Sequence, residues 1–317
     1  MKLVVLDGYT LNPGDLSWDS LHAVGQCQVF DRTAKEDLLA RAQGATILLT
    51  NKTPLRGDAL ASLPSLKYIG VLATGYDVVD VDQARLQNIV VTNVPAYGTD
   101  SVAQMVFALI LELCNHARQH GDAVCMGAWT RNFDWCFWQT PLIELNGKTM
   151  GIVGYGRIGK KVAQIGHAFG MKIIVTSNRR PPYLAPEVQW GTLDEVFAAS
   201  DFVSLHCPLQ DSTRGLIDSA RIEQMKPGAF LINTSRGGLI VEEDLARALD
   251  SGRLGGAALD VLTTEPPSAA NPLIGAKNCL VTPHIAWATQ ESRARLLDTA
   301  VANLRAWLDG RPQNVVS

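Results

Sequence analysis

Three side chains with complementary acid–base chemistry follow apolar runs in the last third of the chain. Arg236 lies in the segment LINTSRGG, Glu265 in LDVLTTEPP and His284 in VTPHIAW. A guanidinium can bind a carboxylate through two parallel hydrogen bonds, and a charged imidazole can donate a proton to a developing alkoxide. A carboxylate about 4 Å from the imidazole favours the charged form by up to ~4 kcal/mol before desolvation. These residue types therefore suit proton donation to an anionic carbonyl substrate.

The elements that position these segments belong to a predicted α/β fold. Apolar runs alternate with helical stretches, which predicts parallel sheets covered by helices. The predicted strands are 2–6, 46–49, 68–72 and 89–91 in a first series and 149–153, 172–175, 202–205, 230–232, 257–259 and 279–281 in a second. The predicted helices are 34–43, 58–62, 99–120, 158–169, 193–199, 219–225 and 242–251, with a final helix from about residue 291. We expect two doubly wound parallel-sheet domains.

Each of the three side chains comes directly after a predicted strand of the second series. Ligands bind at the carboxyl edge of open parallel sheets, so we expect Arg236, Glu265 and His284 to converge there. Taken singly, each has an ordinary structural interpretation. The histidine follows a proline, the glutamate precedes two prolines, and the arginine precedes two glycines that can form a turn.

A glycine motif marks the beginning of the second series. In GIVGYGRIG, Gly154, Gly156 and Gly159 follow a predicted strand and open a predicted helix. The G-x-G-x-x-G spacing alone is a weak signal, but this strand–turn–helix context is typical of a dinucleotide-binding site. Glycines allow close approach to a pyrophosphate, and the helix N-terminus supplies N–H groups. The alternative is a glycine-rich turn packed for steric reasons.

The next strand departs from the pattern that selects NAD. Such a site places Asp or Glu about twenty residues on, where it binds the ribose hydroxyls. Here Ser177 ends the strand, and Arg179 and Arg180 follow Asn178. Because guanidinium pairs well with phosphate, we predict a preference for NADP(H) with these residues at the 2′-phosphate. The alternative is that the arginines are surface charges and NAD(H) is used.

The motifs together resemble the D-isomer-specific 2-hydroxyacid dehydrogenase family. GIVGYGRIG, NTSRGG, DVLTTEPP and TPHIAW resemble four of its signatures, and the likeness covers essentially the whole chain. The segment NFDWCFWQTPLIELNGKTMGIVG is similar to the glycerate dehydrogenase or hydroxypyruvate reductase group. The resemblance implies a homodimer. It also implies a Rossmann cofactor domain, residues 101–287, inserted in a flavodoxin-like substrate domain, residues 1–100 and 288–317.

The resemblance further implies roles for individual residues. Arg236 would bind substrate, while His284 and Glu265 would form the acid–base pair. The loop LATGYD would offer backbone N–H groups to the substrate carboxylate, chiefly at Thr74 and Gly75. The other residues implied to meet the cofactor are Arg157, Ile158, Cys207, Thr234 and Asp260.

A segment rich in tryptophan, residues 127–142, has no clear periodicity and is predicted to be a loop. From the resemblance, Trp138 is expected to close over a small hydroxylated substrate, including across a dimer interface. The alternative is that the loop only buries dimer surface.

Composition limits the classes of partner and compartment. The net charge of −3 favours neither nucleic acid nor a membrane surface. The six cysteines are scattered without metal-ligand spacing, so we expect reduced thiols, no metal and a cytoplasmic location. The N-terminus lacks the apolar core of a signal peptide, and the most apolar segment, 102–113, is too short to span a bilayer.

The resulting hypothesis is hydride transfer between NAD(P)H and a small 2-oxo acid, most simply hydroxypyruvate or glyoxylate, with D-glycerate as the reverse substrate. One alternative is a D-lactate-type or phosphoglycerate-type dehydrogenase. A phosphorylated substrate would need extra cations, for which Lys52 and Arg131 are the candidates. Another alternative is a nucleotide-sensing, corepressor-like binding protein. The intact set of Arg236, Glu265 and His284 favours an enzyme.

Overall fold

The computed structural model describes residues 1–317, which divide into two compact units. Unit 1 comprises Met1–Gly98 and Trp287–Ser317, and unit 2 comprises Thr99–Ala286. Each unit contains one parallel sheet. No helix is long and apolar enough to cross a membrane.

Unit 1 is built on a five-stranded sheet in the order β2-β1-β3-β4-β5. Its strands are β1 (Lys2–Val5), β2 (Gln26–Val29), β3 (Ile47–Thr50), β4 (Tyr68–Val71) and β5 (Val90–Thr92). Its helices are α1 (Asp19–His22), α2 (Leu38–Ala42), α3 (Gly57–Ala61), α4 (Val81–Leu86) and, numbered last along the chain, α11 (Gln290–Leu308). This strand order is the flavodoxin-like one, as expected.

Both faces of the first sheet are covered because successive side chains of a strand point to opposite faces. In β1, Val4 packs in a buried cluster with Leu60 of α3, whereas Leu3 and Val5 pack in another with Leu296 of α11. Helix α11 begins at a cap in which the hydroxyl of Thr289 accepts a hydrogen bond from the backbone of Ser292.

Unit 2 is built on a seven-stranded sheet in the order β12-β11-β10-β9-β6-β7-β8. Its strands are β6 (Thr149–Val153), β7 (Lys172–Thr176), β8 (Val188–Trp190), β9 (Phe202–Leu205), β10 (Ala229–Asn233), β11 (Leu254–Leu259) and β12 (Cys279–Val281). Its helices are α5 (Thr99–Asn115), α6 (Ala117–Cys125), α7 (Arg157–Ala168), α8 (Leu193–Ala199), α9 (Ser219–Gln224) and α10 (Glu242–Asp250). Two buried clusters cover its faces, one around Phe197 and Leu245 and the other around Phe107 and Val162.

The structure differs from the predicted elements in several places, and the short helices α1 and α4 were not predicted. The predicted helix from residue 99 to 120 is two helices, because His116 has a left-handed backbone with φ of 46°. Strands β2 and β8 were not predicted. Both lie at sheet edges, where Val188 is their one buried residue, and their sequences, QCQV and VQW, form no continuous apolar run. The segment 127–142 contains no helix or strand, as predicted.

Candidate active site

The imidazole of His284 and the carboxylate of Glu265 form a direct pair. Nδ1 of His284 lies 2.6 Å from Oε2 of Glu265, and both side chains are about one-third exposed. The other carboxylate oxygen, Oε1, accepts a hydrogen bond of 3.1 Å from the backbone N–H of Leu262. Because Glu265 engages Nδ1, it fixes the orientation of the imidazole ring.

The loop that carries His284 is fastened to a buried carboxylate. Asp260 is 1% exposed, and its carboxylate accepts hydrogen bonds from the hydroxyl of Thr282 and from the backbone N–H groups of Ile285 and Ala286. His284 itself has a left-handed backbone, with φ of 54°. This conformation is uncommon for a side chain of that size, so the surrounding hydrogen bonds must hold it.

Arg236 lies in a tight turn that Asn233 organises. The buried amide of Asn233 accepts a hydrogen bond from the backbone N–H of Ser235 and donates one to the carbonyl of Arg236. The guanidinium of Arg236 is exposed and donates to the carbonyl of Ser235 at 2.8 Å. Its remaining donors are available to a ligand carboxylate.

Gly237 brings this turn against the chain that leads to Glu265. A Cβ atom at Gly237 would lie 1.9 Å from the carbonyl carbon of Leu262 and 2.3 Å from the nitrogen of Thr263. No side chain fits there, which explains the glycine after Arg236.

The sheet order places the three candidate catalytic residues on neighbouring strands. Strands β10, β11 and β12 pair side by side in parallel, with Asn233 opposite Leu259 and Leu259 opposite Val281. Arg236, Glu265 and His284 follow the ends of these strands, so all three emerge at one edge of the sheet. The structure thus brings His284 and Glu265 into contact and places Arg236 after the neighbouring strand at the same edge of the sheet.

The three motif glycines have three different surroundings. Gly154 has φ of 103°, and a Cβ there would lie 2.5 Å from the backbone nitrogen of Cys207. A Cβ at Gly159 would lie 2.2 Å from the carbonyl oxygen of Gly154, so this glycine packs the helix onto the turn. Around Gly156 there is open space, with no atom within 4 Å of an added Cβ.

The residues at this turn fit a dinucleotide. Helix α7 begins at Arg157 and Ile158, directly after Gly156, and no side chain caps it. Its first N–H groups and positive dipole end can therefore meet a pyrophosphate. Across the sheet edge, the buried hydroxyl of Thr234 has no hydrogen-bond partner in the protein, as expected of a group that binds a ligand.

Ser177, Arg179 and Arg180 lie beside this turn. They follow β7, the neighbour of β6, and the backbone N–H of Gly154 donates to the carbonyl of Thr176 at 2.8 Å. Both arginines are exposed, and neither forms an ion pair or hydrogen bond with the protein. This is the sheet position at which the ribose of a dinucleotide is recognised.

Cys207 follows β9 and faces the glycine turn. Its backbone carbonyl accepts a hydrogen bond of 2.7 Å from the hydroxyl of Ser235, which links the end of β9 to the Arg236 turn. Burial raises the pKa of the Cys207 thiol, so the side chain is neutral near pH 7 and acts as an apolar wall.

In unit 1, Thr74 and Gly75 lie in a loop after β4 that is held from both sides. Asn93 donates to the carbonyl of Thr74 at 2.7 Å, and the hydroxyl of Thr74 donates to the carbonyl of Val94 at 2.8 Å. The backbone N–H groups of Ala73, Thr74 and Gly75 donate to no acceptor within the protein. The loop is therefore a fixed set of donors suited to a carboxylate.

The tryptophan-rich segment exposes large apolar side chains. Phe133 is fully exposed, and Trp135, Trp138 and Trp129 are 87%, 66% and 51% exposed. The base of the segment is held by His120, whose Nε2 accepts a hydrogen bond of 3.0 Å from the backbone of Gln139. Four large apolar side chains so exposed within ten residues make this segment a candidate interaction surface.

Sequence reasoning did not single out Asn233, Gly237 or the anchoring role of Asp260. A signal was available for two of them, since Asn233 and Gly237 flank Arg236 in NTSRGG, where asparagine and glycine are typical turn formers. Nothing in the sequence indicates that the Asp260 carboxylate binds the loop around His284, more than twenty residues away.

The glycine turn before α7, the His284–Glu265 pair and the exposed Arg236 at one sheet edge are the features expected of nicotinamide-dependent dehydrogenases that act on hydroxy acids. Residues 107–286 match the family model described as "D-isomer specific 2-hydroxyacid dehydrogenase, NAD binding domain". The chain belongs to the D-isomer-specific 2-hydroxyacid dehydrogenase family, and unit 2 contains its NAD(P)-binding domain.

Individual relatives match most or all of the chain. It is 50% identical over 321 residues to the hydroxypyruvate reductase of Blautia hydrogenotrophica, covering 100% of both proteins. It is 39% identical over 283 residues to the glycerate dehydrogenase of Methylorubrum extorquens, covering 89% of this chain and 88% of that protein. An acyclic imino acid reductase solved with NADPH and D-Arg has a TM-score of 0.85 and 30% identity, with full coverage of both chains.

Proposed function

We propose that this protein reduces hydroxypyruvate, and with it glyoxylate, to the corresponding 2-hydroxy acid, with D-glycerate as the substrate of the reverse reaction. The observation that carries the proposal is the His284–Glu265 pair at 2.6 Å, at the same sheet edge as Arg236. The 50% identity to a hydroxypyruvate reductase over the full chain supports the choice of substrate.

Different residues are assigned substrate binding and proton transfer in this reaction. Arg236 binds the substrate carboxylate through its unused guanidinium donors, and the free N–H groups at Thr74 and Gly75 of unit 1 supply further donors. The turn at Gly154 and the start of α7 would hold the nicotinamide cofactor, which when bound would supply hydride to C2. Nε2 of His284 donates the proton that the carbonyl oxygen acquires, and Glu265 stabilises the charged imidazole before that transfer.

NADP(H) is the proposed preferred cofactor. The end of β7 carries no carboxylate, so nothing there repels a 2′-phosphate, and two unpaired guanidinium groups lie within three residues of Ser177. The solved relative with NADPH is compatible with this choice. Gly154, Gly156, Gly159, Arg157, Ile158, Cys207, Thr234 and Asp260 are the remaining proposed cofactor contacts.

A homodimer is the proposed assembly, with the exposed segment from Trp129 to Trp138 as the contact surface. A second copy of the chain would cover side chains that are otherwise 51–101% exposed. In such a dimer Trp138 would lie at the interface, where it would help to close over the substrate. Unit 1 is the proposed substrate-binding domain.

A cytoplasmic location is also proposed, because the six cysteines are free thiols.

The test is oxidation of NADPH and NADH by the purified protein, followed at 340 nm, as a readout of turnover, with hydroxypyruvate, glyoxylate, pyruvate and 2-oxoglutarate in parallel. We expect the largest kcat/KM with hydroxypyruvate and NADPH, and formation of the D isomer of glycerate. If no 2-oxo acid is turned over, the proposal that the protein is a 2-oxo acid reductase is wrong. A preference for pyruvate would move the protein to the D-lactate type.

A further inference from the structure

A buried carboxylate in unit 1 organises a turn that the proposed mechanism does not use. Asp7 is 9% exposed, and its two oxygens accept hydrogen bonds from three successive backbone N–H groups, those of Asn51, Lys52 and Thr53, at 2.7, 2.5 and 2.7 Å. Burying a carboxylate is costly unless such donors compensate it. The arrangement therefore fixes the backbone of residues 51–53 rigidly after β3.

All side chains of this turn except one point into the protein. Thr50, Asn51 and Thr53 are 0%, 5% and 6% exposed, and the hydroxyl of Thr50 closes the turn on the carbonyl of Thr53 at 2.8 Å. Lys52 alone is exposed, and its ammonium group forms no ion pair or hydrogen bond with the protein. The turn thus presents one cation on a rigid base.

The turn is joined directly to the loop that carries Thr74. The side chain of Asn51 donates to the carbonyl of Leu72 at 2.6 Å, and the backbone N–H of Leu72 donates to the carbonyl of Thr50 at 2.8 Å. Strands β3 and β4 pair in parallel, with Thr50 opposite Val71. Lys52 and the unused N–H groups at Thr74 and Gly75 therefore lie at the same edge of the same sheet.

We infer that Lys52 is a specificity-determining residue that binds the polar substituent on C3 of the substrate. This inference rests on the proposed function, in which the N–H groups of the neighbouring loop bind the carboxylate. An ammonium group has three donors and no acceptor, so it suits the hydroxyl oxygen of hydroxypyruvate. Glyoxylate has no C3 and pyruvate has only a methyl group there, so neither gains from this contact.

The next cation along the chain, Arg56, does not compete for this role. The guanidinium of Arg56 is committed to the carbonyl of Asp77 at 2.5 Å. That bond ties the end of one loop to another, which is a structural use. Lys52, by contrast, stands on a rigid backbone turn and its ammonium group has no partner in the protein.

The experiment is steady-state kinetics of Lys52→Met with three substrates. We expect kcat/KM for hydroxypyruvate to fall about 10- to 100-fold, mainly through KM, as for loss of one charge-assisted hydrogen bond. The loss for glyoxylate and pyruvate should stay below about threefold by the same argument. Lys52→Arg should recover part of the hydroxypyruvate activity, and Lys67→Met, an exposed lysine before β4, is the matched control.

Two results would overturn the inference. An equal loss with all three substrates would mean that Lys52 binds their common carboxylate, and no loss with any would mean that it is a surface charge. An unchanged melting temperature distinguishes an equal loss from misfolding. If the wild-type protein reduced the 3-phosphate ester of hydroxypyruvate but not hydroxypyruvate itself, the proposed substrate would be wrong. Lys52 would still be the C3-binding group if Lys52→Met lost activity with that ester.

Discussion

The backbone N–H of His284 donates to the carbonyl oxygen of Asp260 at 2.8 Å, while the carboxylate of the same aspartate holds the residues on both sides of the histidine. One buried residue at the end of β11 thus determines where the proposed proton donor lies. It also supports the left-handed backbone at His284. Positioning of the donor is therefore a property of Asp260 as much as of Glu265.

Replacement of Asp260 by Asn should test this arrangement. The carboxylate of Asp260 now accepts hydrogen bonds from Thr282, Ile285 and Ala286. An asparagine side chain has one acceptor oxygen and one NH2 group, so at least one of these donors would face the NH2 group instead of an acceptor. We expect the free energy of unfolding to fall by about 1–3 kcal/mol and kcat to fall with it. Urea denaturation and kcat at saturating cofactor measure both, with Asp211→Asn on the surface as the control. Unchanged kcat would show that the loop holds His284 without this carboxylate.

Replacement of His284 by Gln should remove the proton donor and leave cofactor binding intact. We expect kcat to fall by roughly 100- to 10,000-fold, the usual range for loss of a general acid. Glu265→Gln should cause a smaller loss, because the ring keeps its donor but loses the stabilising charge. Stopped-flow turnover and the dissociation constant for NADPH, measured by fluorescence, separate the two effects. His284→Gln with near wild-type turnover would exclude it as the donor.

The residues after β7 should decide between the two nicotinamide cofactors. Arg179→Ala removes a guanidinium, and we expect it to weaken NADPH binding by about 10-fold or more with little change for NADH. Ser177→Asp adds the missing carboxylate and should favour NADH by repelling the 2′-phosphate. Calorimetric titration with each cofactor gives the ratio directly. If the dissociation constants for NADPH and NADH change equally, the arginines are surface charges that do not bind the 2′-phosphate.

The exposed aromatic segment should control the oligomeric state. The double substitution Phe133→Ser with Trp135→Ser removes two side chains that are 101% and 87% exposed. We expect the proposed dimer to dissociate to monomer, as measured by light scattering after gel filtration. Leu86→Ser, at a residue 79% exposed in unit 1, is the control and should leave the dimer unchanged. A wild-type monomer would contradict the proposed assembly.

His206 should make the protein sensitive to acid. Burial lowers the pKa of His206 to about 4, and Nε2 lies 2.8 Å from the hydroxyl of Ser204. An unfolded histidine has a pKa of about 6.5, so between these values the unfolded chain binds more protons. The contribution of neutral His206 to the free energy of unfolding is fully present above about pH 6.5. It decreases by up to ~3 kcal/mol as pH falls through 4. Urea denaturation across that range should show a shallower pH dependence for His206→Gln.

The sequence by itself determined the family and the fold class, because both depend on local patterns. Buried strands such as β6 and β9 consist mainly of apolar residues, and the turn at Gly154 requires a glycine because its φ is positive. Both features can be recognised within a few residues. Arg236, Glu265 and His284 could be proposed together because parallel strands bring their carboxyl ends to one edge.

The tertiary structure decided what depends on hydrogen bonds and packing between distant segments. Asp260 holds the loop around His284, Asp7 holds the turn that presents Lys52, and Gly237 is in contact with the backbone of Leu262. Edge strands β2 and β8 escaped prediction because a strand with one paired side needs no apolar run. The types of the reactive residues are therefore local information, whereas their orientation is set by partners that only folding brings within reach.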